Sequence, residues 1–167
     1  MQPLRILMPA LLSIIVLFSI SCSKDKNDSR KRNFISVKLD NKVYLSENPN
    51  GVIYVPITDP VNNYPKMVIS GQTKAGDIIT LNFSTPAMPF VPGNYSMSRP
   101  GTSVTMDLND QTGTRLTSGS NFTLNLTYID SYIVEGNFSG SLSASAGAST
   151  VQALDGAFRA TVKQVSQ

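Results

Sequence analysis

The stretch Asn121-Phe-Thr-Leu-Asn-Leu-Thr-Tyr128 alternates polar and apolar residues without a break. Successive side chains of a strand point to opposite faces, whereas a helix would scatter these residues around its circumference. Phe122, Leu124, Leu126 and Tyr128 are therefore expected to share a buried face, with Asn121, Thr123, Asn125 and Thr127 towards water. The same period runs through Tyr132-Ile-Val-Glu-Gly-Asn-Phe138, which predicts Tyr132, Val134 and Phe138 inward and Glu135 and Asn137 outward. In 77–83 it aligns Ile79, Leu81 and Phe83. Near the C-terminus it sets Phe158, Ala160 and Val162 against Arg159, Thr161 and Lys163.

Turn signals separate these runs. Asp40-Asn41 lies between Phe34–Leu39 and Lys42–Leu45, and both residues tolerate the positive φ of a two-residue hairpin loop. Ile129-Asp130-Ser131 joins the two most regular strands as a second hairpin. Pro92-Gly93-Asn94 leads into Tyr95–Met97, and Pro86, Pro89 and Pro92 keep their stretch out of any sheet interior. Further strands are expected at 52–57, 67–71 and 103–108, and the small residues of 143–152 read as a loop. No segment carries a helical period. The expectation is an all-β domain over 34–167, with about nine or ten antiparallel strands in a β-sandwich or a meander-like barrel.

Ahead of this domain stands a different kind of sequence. Arg5 precedes an apolar run from Ile6 to Ile20, broken only by Pro9, Ser13 and Ser19. A positive start, a short apolar run and small residues at its end make a secretory signal. The run is shorter than the ~20 residues of a spanning helix. The basic residues after it would hold that flank in the cytoplasm if it were an anchor. Ser19-Ile20-Ser21-Cys22 resembles the bacterial lipobox. That resemblance implies cleavage between Ser21 and Cys22, with diacylglycerol and a further acyl chain such as palmitate on Cys22. Residues 1–21 are then a signal peptide, and 22–33 a lipidated cysteine with a polar tether. Each buried methylene contributes about 0.8 kcal/mol, so two or more chains anchor a protein stably. Ser23 stands where an Asp would resemble an inner-membrane retention signal, which points to the outer membrane. The mixed Lys/Asp run after it is similar to surface-export signals, and the periplasmic and surface faces both stay open.

Charge follows the same division. From Phe34 onward there are eight Lys or Arg against nine Asp or Glu, so the basic character belongs to Lys24–Arg32. A nucleic-acid partner is not expected, because phosphate binding needs a concentrated positive face.

The body resembles a family of Bacteroidota lipoproteins of unknown function. The residues that carry the likeness are Ser36–Lys42, Ile69-Ser70-Gly71, Ile79–Phe83, Pro92–Tyr95, Tyr128-Ile-Asp130, Val134–Ser139 and Gly156–Val162. The resemblance implies a fold and brings no catalytic residues.

Chemistry is constrained by what is missing. There is no His, and the one Cys is Cys22. This removes Ser-His-Asp and Cys-His triads and the commonest zinc sites. No cofactor or metal is expected. Glu135 and Asp130 could in principle act as a carboxylate pair on a glycoside, although solvated surface carboxylates are the plainer reading. Asp107–Gly113 is rich in oxygen but lacks the calcium-loop pattern, and reads as a polar turn. Asn82, Asn94, Asn121, Asn125 and Asn137 each precede Ser or Thr by two, a match that outward Asn and Thr on strands explain. Tyr44, Tyr54, Tyr64 and Tyr95 could stack on sugars, but they are spread along the chain.

The function expected from these features is that of a membrane-anchored cell-envelope lipoprotein. It would be a non-enzymatic binding or interaction module, with the membrane as partner through Cys22 and a protein or glycan as the other. An accessory carbohydrate- or peptide-binding lipoprotein of a nutrient-uptake system is the alternative, and a carboxylate-only hydrolase a third.

Overall fold

The computed structural model describes residues 32–57, 63–144 and 149–166. Eleven strands run in chain order: β1 (Phe34–Leu39), β2 (Lys42–Glu47), β3 (Asn50–Val55), β4 (Lys66–Gln72), β5 (Ile78–Ser84), β6 (Gly93–Tyr95), β7 (Ser103–Asp107), β8 (Arg115–Ser118), β9 (Thr123–Ile129), β10 (Ile133–Ala144) and β11 (Thr150–Ser166). Among the described residues there is no helix. The all-β reading is therefore what the molecule has. The lipobox, Cys22 and the tether as far as Lys31 lie outside the described residues.

The strands form one sheet in the order β2-β1-β11-β3-β4-β5-β7-β8-β10-β9-β6. A further pairing of β10 with β11 turns the stretch from β11 through β8 to β10 into a closed circuit. The two longest strands, β10 and β11, are its seam. Along the far edge of β11 lie first β1, paired from Ala153 to Arg159, and then β3, paired from Thr161 to Ser166. β10 likewise carries β9 over Val134–Ser139 and β8 over Leu142–Ala144.

Not every pairing is antiparallel: β3 runs parallel to β11. The reason is local. β1 begins at Phe34, opposite Arg159, and leaves the edge of β11 open beyond that point. The chain leaves β2, turns at Asn48 with φ of 55°, and continues in the same direction into the opening. Asn48 N–H donates to the Asn33 carbonyl at 3.1 Å, which ties the step to the start of β1.

The alternation expected for the core largely holds. Ile79, Leu81, Phe83, Leu124, Leu126, Val134, Phe138, Phe158, Ala160 and Val162 are all buried. The Asp40-Asn41 turn connects β1 and β2, with Asp40 at φ 48°. Aromatic rings run through the interior. Phe83 meets Tyr95 edge-on at 5.2 Å and Phe158 at 5.7 Å, and Phe138 lies 6.5 Å from Phe158. Two glycines make room for them. Gly136 is paired with Phe158, and Gly156 with Phe138. A Cβ at Gly136 would collide with the Phe158 ring and the Asn125 carbonyl oxygen, and one at Gly156 with the Phe138 ring and carbonyl oxygen.

Four expectations need correction. Tyr128 is 47% exposed, not buried. The β9–β10 register shifts between Glu135 and Gly136, so that Leu126 faces Gly136 while Tyr128 faces Glu135. Thr127 is the extra residue, and a bulge of this kind reverses the facing of the residues after it. Tyr132 is 73% exposed, because it belongs to the turn before β10 rather than to the strand. Arg115–Ser118 forms a strand that the alternation does not signal, since four residues with a single buried Leu116 show no period. Finally, much of 143–152 is strand: Ser143 pairs with Thr150 and Leu142 with Val151. Small residues there carry no pattern of their own, and the pairing extends from the buried Leu142. Residues 145–148 lie outside the described residues.

Candidate binding face

In-register neighbours on paired strands share a face. The outward residues of β6, β9, β10, β11, β1 and β2 can therefore be read as rows across the sheet. One row runs Tyr128, Glu135, Arg159, Phe34, Glu47. The next runs Asn94, Asn125, Asn137, Ala157, Ser36, Leu45. Beyond it Thr123 faces Ser139. The inward neighbours Tyr95, Leu124, Leu126, Gly136 and Phe138 are all buried, which fixes the three asparagines on the solvent side.

The first row is electrostatically closed. Arg159 Nη1 donates to the Glu135 carboxylate, and the two side chains are only 14% and 29% exposed. Burial on that scale suits a charge only when it is paired. Tyr128 donates its hydroxyl to Asp130 Oδ2 at 2.8 Å, while Asp130 Oδ1 accepts the backbone N–H groups of Tyr132 and Ile133 at 2.7 Å each. The Tyr132 and Ile133 amides, and then the Tyr128 hydroxyl, hold the Asp130 carboxyl below its ordinary range. The same bond, followed by the charge on Asp130, pushes the Tyr128 phenol up.

The second row is different in kind. Among the described residues, the amides of Asn94, Asn125 and Asn137 make no hydrogen bond to other protein groups. Strands ~4.8 Å apart place these amides at about that spacing, so the three span about 10 Å. Asn is depleted from strands, which makes three of them side by side a local departure from β-propensity.

The other sequence candidates lie elsewhere. Asp107 accepts from Arg115 Nε at 2.6 Å and Nη2 at 3.0 Å. Asp110 Oδ1 accepts from Thr112 N and Thr114 N at 3.0 Å each and from Thr112 Oγ1 at 2.9 Å. Those bonds, with the Thr114 amide foremost, lower its pKa to about 2. The Asp107 carboxylate and Asp110 Oδ1 are thus engaged by neighbouring protein donors. Asp130 lies in the β9–β10 turn and Glu135 on β10, but a glycosidase acid needs a raised pKa. Asp130 moves the other way.

The tyrosines exchange roles. Tyr44 and Tyr95 are buried, whereas Tyr128 and Tyr132 are the exposed pair. Tyr95 donates its hydroxyl to the Val91 carbonyl at 2.9 Å and accepts from Val91 N–H, pinning the proline-rich stretch. Burial pushes that phenol up. Beside the stretch lies a groove of about 470 Å³, lined by Met88, Phe90, Ile129, Asp130 and Gln164 among others.

Comparison with protein-family models, with curated proteins and with solved structures finds no match.

Proposed function

We propose that this chain is a cell-envelope lipoprotein of the outer membrane, cleaved after Ser21 and held by lipid on Cys22, whose β domain is a non-enzymatic binding or interaction module. The observation that carries this reading is the run Ser19-Ile20-Ser21-Cys22 at the end of a short apolar segment that starts from Arg5. Two or more acyl chains supply the membrane affinity. The strand-and-turn order is read as that of the Bacteroidota lipoproteins it resembles. The non-enzymatic part is supported by the lack of His, by the Arg159 partner of Glu135, and by the lowered pKa of Asp130.

The test is metabolic labelling with a palmitate analogue, followed by mass spectrometry of the mature N-terminus. Wild type should incorporate label and begin at a modified Cys22, and Cys22→Ser should lose both. Label retained by Cys22→Ser, or a mature protein that keeps Met1, contradicts the proposal.

A further inference from the structure

We infer that the outward face of β6, β9 and β10 binds a neutral oligosaccharide through the amides of Asn94, Asn125 and Asn137. The inference rests on the reading of the chain as an anchored binding module, and names the ligand class of that module. Each amide offers two donors and an acceptor. Sugar hydroxyls likewise donate and accept, so a row of amides can meet successive hydroxyls of an extended chain. Thr123 and Ser139 add a second line of hydroxyls beside the row.

Charge and geometry select among ligands. The patch formed by Asn94, Asn125, Asn137, Thr123 and Ser139 carries no charge. The cation in the next row, Arg159, is neutralised by Glu135. An anionic ligand finds no free positive partner there, whereas a neutral polyhydroxylated one needs none. A peptide added as a strand would need an open backbone edge. At the amide row β9 is already paired on both sides, with β10 and with β6, and β10 with β9 and β11, so the open edge there is that of the three-residue β6, too short to template an added strand. Side chains are what this face presents. At its border Tyr128 is half exposed, and its hydroxyl is fixed by Asp130, so the ring is held in one orientation. A ring held in this way suits stacking against the apolar face of a pyranose.

The unpaired state of the amides is the strongest element of the inference. Elsewhere on the outer surface Asn82 donates to Ser103 Oγ at 3.0 Å, and the Ser70 and Thr80 hydroxyls bond to each other at 3.1 Å. Polar residues on this sheet can thus satisfy one another, and the asparagine row does not.

The full chain, purified in detergent, should be tested by affinity electrophoresis and calorimetry. The probes are neutral gluco-, manno- and xylo-hexaoses and their polysaccharides, with polygalacturonate and heparin as acidic controls. At least one neutral probe should be retained, and the acidic ones should not. Asn125→Ala and Asn137→Ala should each weaken binding about tenfold, the equivalent of one lost hydrogen bond, with unchanged melting temperature. Asn82→Ala should bind as wild type. Retention of no neutral probe, or equal binding by wild type and both amide variants, overturns the inference. A chain that carries lipid on Cys22 but retains no glycan sinks this inference alone. One that binds glycan but lacks the lipid sinks only the anchoring.

Discussion

Two parts of one outer surface treat asparagine in opposite ways. On β4, β5 and β7, Asn82 sits beside Ser103 and bonds to it. On β6, β9 and β10, three asparagines occupy adjacent in-register positions, and among the described residues none of their side chains is bonded to protein. The first arrangement stabilises the sheet. The second leaves donors and acceptors to the solvent, at positions where β-branched residues would serve the sheet better. Residues that break a local rule without a structural gain are where function is to be sought.

The contrast between the two regions depends on the amide face being rigidly supported, which gives the largest expected effect. Gly136 lies on the inward side of β10, directly beneath Phe158. Gly136→Ala should destabilise the domain by about 3 kcal/mol in urea unfolding, through overpacking against a ring and a backbone oxygen. A loss below half that value would mean that the layer beneath the face yields.

Next comes the charge pair that keeps the face neutral. Glu135→Ala strands a largely buried guanidinium, and should cost about 2 kcal/mol in the same assay. The double variant Glu135→Leu/Arg159→Met should recover most of that loss, because it removes the charge together with its partner. Equal losses in both would show that packing, not charge, holds this row.

A smaller effect separates the two faces directly. Asn82→Ala removes a bond to Ser103 and should cost about 1 kcal/mol. Asn125→Val removes no bond to protein and should leave the melting temperature unchanged or raise it.

The smallest effect is in acid. Asp110 titrates from an ordinary 3.8 down to about 2 in the folded chain. A lowered folded pKa adds stability that is complete above 3.8 and lost as pH falls towards 2. The exposed position of this turn keeps the contribution small. NMR titration should place the Asp110 midpoint about two units below that of an unfolded peptide, and Thr114→Pro, which removes the foremost amide donor, should raise it. The Asp130 midpoint should likewise lie below the ordinary range.

The core was legible in the sequence because alternation reports which face is buried. Ile79, Leu81 and Phe83 pointed inward as their spacing required. What alternation does not carry is a change of phase. The extra residue Thr127 turned Tyr128 outward, and nothing in Asn-Leu-Thr-Tyr marks it. A second bulge, at Asp155 with φ of 51°, sets an additional β11 residue opposite both β1 and β10, and is equally silent in the sequence. The parallel β3–β11 pair comes from a vacant edge beyond Phe34, a property of strand lengths rather than of residue types. The candidate face was not legible as a site. Asn94, Asn125 and Asn137 each precede Ser or Thr by two, but Asn82 and Asn121 share the same pattern. The alignment of the three is a matter of register between strands far apart in the chain.

The most direct measurement is the unfolding free energy of the full chain with Asn94, Asn125 and Asn137 all changed to Thr. An amide row kept for a ligand gives a variant at least as stable as wild type, which no longer retains the neutral hexaoses. A variant destabilised by several kcal/mol would show that those amides hold the sheet together, and would contradict the account.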